Sequence, residues 1–222
     1  MIKLKNNFFI PAIVINFVIN LIFLKNTFDN PWLSDDYPYI FGSKLFNLIN
    51  GNLFYTFQFI GDDTRFIPFF WFIVQFIPEN FQFWHSIIVL FYFFSSVFIF
   101  LISNKITNNS QISILASILF TINYSISIKS LSWNIFFGHI FNSTLGFLAI
   151  LIFLTYYEKN KKILLIFYFI FSFLGCLISE SGLIFPILAF LILFFFKKER
   201  SKKNLFISLS PIFAYLVIVF IY

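Results

Sequence analysis

Asp35 and Asp36 stand side by side in W-L-S-D-D-Y-P, and a second pair, Asp62 and Asp63, follows Gly61. Adjacent carboxylates on an extended chain point in different directions. One of a pair can then face a substrate as general base, while its neighbour tunes that group's pKa or helps hold a divalent metal. Arg65 carries the planar fork that grips a phosphate, or it is a cation snorkelling out of the apolar run it enters. His85, His139 and Glu180 complete the candidates, and Asn142 and Ser143 share a helix face with His139 at three and four residues on. Each has a plainer account. Asp35-Asp36 also reads as solvated loop, Asp62-Asp63 as a turn and the histidines as polar packing residues. Glu180, in S-E-S-G between two apolar runs, is harder to set aside, because an acid there is costly unless partnered.

The elements that position these groups follow from composition. The chain is 60% hydrophobic and 11% charged, with a mean hydropathy of +0.91. Long apolar runs broken by short polar clusters describe an all-α, polytopic integral membrane protein. The 40 Phe residues accompany abundant Ile, Asn and Lys, a bias expected of AT-rich codons rather than of an aromatic function. Cys176 is the single cysteine, so there is no disulfide frame and no cysteine-based metal site. No glycine-rich phosphate loop, nucleophile elbow or zinc-ligand spacing is present.

Seven runs qualify as spans: residues 8–24, 81–102, 111–128, 135–157, 163–178, 182–196 and 205–222. The first is of signal-peptide length but is followed by no small-residue cleavage site, so it reads as a retained helix. Residues 163–196 are too long for one crossing, which puts a tight hairpin at S-E-S-G with Glu180 near its tip. Residues 25–80 form a long first outer loop. Within it, residues 41–49 and 66–78 read as pieces lying in the interface. With 66–78 non-spanning and the N-terminus cytoplasmic, eleven of the fifteen Lys and Arg fall inside, as the positive-inside rule requires. The acids sort the other way: all but Glu158 and Glu199 fall outside, as do both histidines. Residues 197–203 are then a positive-inside anchor and not a nucleic-acid site.

Four stretches, in order, resemble the membrane-embedded glycosyltransferases of the GT-C type, which include protein O-mannosyltransferases and bacterial lipid-sugar transferases. They are L-S-D-D-Y-P; T-R-F-I-P-F-F-W with P-E-N-F-Q-F-W-H; L-F-T-I-N-Y-S-I-S-I-K-S-L-S-W-N; and L-I-S-E-S-G-L-I-F-P. The resemblance runs over most of residues 29–186. It implies a polyprenyl-phosphate sugar donor and a lipid, glycan or protein acceptor. It also implies transfer of a hexose or pentose on the external face of the plasma (inner) membrane. Asp35 or Asp36 inherits the role of base or ligand to a divalent metal, Mg or Mn. Arg65 stabilises the departing phosphate, and His139, Glu180 and His85 line the pocket.

The sequence departs from that family at Ser179, where Lys is common, and at Asn123-Tyr124, where His-Pro is common. The chain also stops at Tyr222 inside an apolar run, so the expectation is the N-terminal part of a larger protein. A multi-pass lipid or solute transporter is the rival. It predicts ionisable residues along a mid-membrane path, whereas the span interiors here carry mainly Ser, Asn and Thr. An inactive truncated remnant is a further alternative.

Overall fold

A computed structural model describes residues 9–24, 76, 80–123, 137–178, 180–196 and 202–221. Among these the fold is all-helical, with no strand. The elements are α1 (Phe9–Leu24), α2 (Phe81–Thr107), α3 (Ser110–Thr121), α4 (Phe137–Lys159), α5 (Lys162–Ile178), a 3-10 turn (Glu180–Leu183), α6 (Ile184–Phe196) and α7 (Lys202–Ile221).

Asparagines set the boundaries. The Asn80 side chain accepts from the Phe83 N–H at 3.1 Å and opens α2. Asn108 closes it in the left-handed region, at φ 52°, with its N–H on the Asn104 carbonyl. The next residue, Asn109, caps α3 by accepting from Gln111 and Ile112. Two residues thus end one helix and begin the next, which folds α3 back along α2. Asn160, at φ 53°, does the same after α4.

Two helices, α2 and α4, are long and apolar enough to cross a membrane; the other apolar helices that come near this test run 10–17 residues. α3 ends at Thr121, about 18 Å of rise for its 12 residues, and residues 124–128 of the run expected over 111–128 lie outside the described residues. Its last turn tightens, with the Asn123 N–H on the Phe120 carbonyl at 3.3 Å. The Tyr92 hydroxyl lies 2.9 Å from the carbonyl of Phe120 and 3.2 Å from that of Thr121. That tertiary contact satisfies carbonyls a helix end leaves bare. In contrast, α2 continues five residues past the expected 102. Its extra turn is held by Lys105, whose ammonium meets Glu158 of α4 at 2.5 Å.

Prolines fall where the backbone tolerates them. Pro11 and Pro186 sit in the first turns of α1 and α6, where no intrahelical N–H bond is lost. Pro211 lies inside α7 and deprives the Ile207 carbonyl of its usual partner. The Ser210 hydroxyl donates to that carbonyl at 2.8 Å, and the Tyr168 hydroxyl of α5 donates to the neighbouring Ser208 carbonyl.

α4 is the hub, packing on α2, α5 and α6, while α1 rests on α2 and α3, and α7 on α5 and α6. α2 and α4 run parallel: Phe91 meets Phe141 edge-on at 4.9 Å, Ser95 bonds Thr144 at 2.8 Å, and Lys105 meets Glu158. The Phe185 ring of α6 sits directly on Gly146, where an added Cβ would lie 2.1 Å from a ring carbon. The core includes Ile150, Phe153, Tyr168 and Leu193, with the Phe153 and Tyr168 rings stacked at 4.5 Å.

The distribution of polarity is inverted relative to a water-soluble bundle. Asn16, Asn20, Ser96, Ser117 and Asn142 are buried, while Ile10, Ile22, Phe195 and Phe206 are 65–69% exposed. Some of these buried polar groups bond across helices: the Asn16 carboxamide donates to Ser117 at 2.9 Å and accepts from Thr121 at 3.2 Å.

Candidate functional site

The helix directions give the bundle two chemically different ends. One end collects Lys105, Glu158, Lys159, Lys162, Lys202 and Lys203. The other holds the starts of α2 and α4 and the 3-10 turn that carries Glu180. This turn end contains the three candidates that fall among the described residues, His85, His139 and Glu180.

Its geometry is fixed by one carboxamide. Asn142 of α4 reaches the turn between α5 and α6. With its amide oriented so that both ends are satisfied, the nitrogen donates to the Gly175 carbonyl at 3.2 Å. The oxygen accepts from the Gly182 N–H at 3.0 Å and the Ser181 hydroxyl at 3.1 Å. Gly182 in turn lies so close to α5 that a Cβ on it would stand 2.3 Å from the Gly175 carbonyl oxygen. S-E-S-G is therefore a tight turn because its glycine backs onto a second glycine and its neighbours are clamped by a buried amide.

Glu180 opens that turn, immediately before the clamped Ser181. His139 lies one turn before Asn142 on α4 and is half-buried, and its carbonyl accepts from the Ser143 hydroxyl at 2.9 Å. His85 is fully buried in the first turns of α2, next to the equally buried Trp84. The Phe91–Phe141 and Ser95–Thr144 contacts set the register of the parallel pair. They place His85 about one helical turn nearer the end of the bundle than His139. All three expected lining residues thus belong to the same end.

Asp35, Asp36 and Arg65 lie outside the described residues, as do residues 41–49 and, apart from Phe76, the expected interfacial piece at 66–78. The donors expected for a divalent ion are among them. Among the described residues, no group of three or more His, Cys, Asp or Glu gathers where one ion could be held.

Two residues central to this end were not among the expected site residues. Asn142 appeared in the sequence only as a face neighbour of His139, and Gly175 gave no signal beyond its lying four residues before S-E-S-G. The partners of Asn142 are more than thirty residues away in the chain, so no local pattern announces them. Among the described residues, the acid–base groups of this end are Glu180 and the histidines, whereas Ser181 and the Gly182 N–H are occupied in holding the turn.

No family model, curated protein or solved structure matches the chain.

Proposed function

We propose that this chain is a multi-pass membrane glycosyltransferase of the GT-C type, moving a sugar from a polyprenyl-phosphate donor to an external hydroxyl acceptor. The observation that carries the reading is the division of charge between the ends. Glu180, His139 and His85 share one end, and the lysines of four helix termini share the other. The inverted polarity supports the membrane setting, since exposed Ile and Phe with buried Asn, Ser and Thr suit a hydrocarbon solvent.

In this reading Asp35 or Asp36 takes the acceptor proton as general base. Arg65 stabilises the charge that develops on the departing lipid phosphate. Glu180 and His139, on a clamped turn and a helix start, line the pocket beneath the first outer loop, with His85 beside them. A divalent metal at the acid pair would supply further stabilisation of the phosphate. A transporter is the weaker reading, because the described hydroxyl and amide groups within the helices are neutral and mostly bond to backbone carbonyls or, as Ser95 to Thr144, to one another.

The test is turnover. Membranes containing the chain, supplied with a radiolabelled polyprenyl-phosphate sugar, should convert label from the donor fraction to a glycan, lipid or protein fraction. Carrier-mediated flux of solute across sealed vesicles without any such conversion would favour the transporter instead.

A further inference from the structure

A second feature lies at the basic end, away from His85, His139 and Glu180. Between α6 and α7 there is a groove of about 160 Å³ lined by Phe190, Lys202, Leu205, Phe206 and Leu209. Four of its five walls are apolar side chains, and the fifth is a lysine in the first turn of α7. Among the described residues the Lys202 ammonium meets no carboxylate or other partner. Lys203 follows it, and no acid occupies that turn. A helix start already bears partial positive charge, so two lysines there concentrate a field that favours an anion. The surrounding sequence, K-K-E-R-S-K-K, has five cations to one acid.

We infer that this groove is a binding site for an anionic phospholipid, with an acyl chain against Phe190, Leu205, Phe206 and Leu209 and the headgroup phosphate on Lys202. The inference rests on the membrane setting proposed above but not on the glycosyltransferase activity. Two features select this occupant. The lining offers no hydrogen-bonding group, which suits a hydrocarbon chain, and Lys202 supplies a cation for an anionic end. The stem of Lys202 lies in the groove wall, so its charge sits where a snorkelling lysine meets the headgroup layer. A zwitterionic lipid would fill the same groove without the phosphate's charge being unopposed at the mouth, and so with less preference.

The site can be read by fluorescence in vesicles. Phe206 is 69% exposed and lines the groove, so Phe206→Trp places a reporter there, with the chain's own tryptophans subtracted as background. Brominated phosphatidylglycerol and brominated phosphatidylcholine are compared at the same minor fraction of total lipid. The expected result is quenching that corresponds to about five-fold enrichment of the anionic lipid, from one lysine near the surface. Lys202→Gln should bring the two lipids to parity, and Lys202→Arg should keep the preference. High salt should abolish the preference with Lys202 intact, an arm that holds even if Lys202→Gln does not fold. Equal quenching by both lipids with Lys202 present, or a preference that survives Lys202→Gln, overturns the site while leaving the membrane setting in place. Quenching by neither lipid overturns both.

Discussion

Gly182 and Gly175 meet backbone to backbone across the turn between α5 and α6, with no room for a methyl group between them. The obstacle is the Gly175 carbonyl and the following peptide nitrogen, neither of which can rotate away as a side chain would. Gly182→Ala is therefore expected to destabilise the purified chain by about 3 kcal/mol or more, at the upper end of overpacking costs. Thermal unfolding in detergent checks this, and a midpoint unchanged from the parent would contradict the packing.

Asn142 satisfies three groups at once, so its loss should be felt at all three. Asn142→Ala leaves the Gly175 carbonyl, the Gly182 N–H and the Ser181 hydroxyl without this partner. The expected cost is about 1–3 kcal/mol, and amide exchange should accelerate at Gly182 before it does in α4. Exchange that stays as slow as in the parent would mean the turn holds itself.

The orientation proposed for the bundle is open to direct labelling. Cys176 is fully buried and gives little background. A cysteine replacing Asp62 should react with an impermeant thiol reagent from outside the cell, while cysteines replacing Lys161 or Lys202 should not. Labelling of the Lys161 site from outside would invert the bundle and place residues 66–78 across the membrane.

For the acidic pair, Asp35→Asn or Asp36→Asn should lower sugar transfer by about 10²-fold or more, the scale of a lost general base. Membrane insertion should be unaffected, and Asp62→Asn should have little effect. Transfer that is untouched by either change in the first pair would remove the general-base assignment.

Much of the helical plan was legible because apolar runs are local signals. The hairpin at S-E-S-G and helix starts near residues 81 and 111 follow from them, whereas the asparagine caps that fix those starts emerged only from the structure. Helix ends decided by tertiary contact were not legible. The expected run to residue 128 ignored the Tyr92 hydroxyl, which comes from another helix to meet the carbonyls where α3 stops. The expected end at 102 likewise missed a turn held by Glu158, 53 residues away. Of the candidate site, the sequence grouped His85, His139 and Glu180 on one side because helix direction alternates with each loop. The clamp that holds this end together was invisible, since Asn142 and Ser181 are 39 residues apart.

The bond between Asn16 and Ser117 has a consequence for how the protein is made. Its partners are separated by 101 residues. At roughly 5–20 residues per second of synthesis, α1 waits about 5–20 s before α3 leaves the ribosome. During that interval the Asn16 side chain lacks its Ser117 and Thr121 partners, although it can turn back onto the Ala12 carbonyl of its own helix. In the membrane setting proposed above, α1 therefore has to hold that amide on its own backbone until the late-arriving helix takes it up.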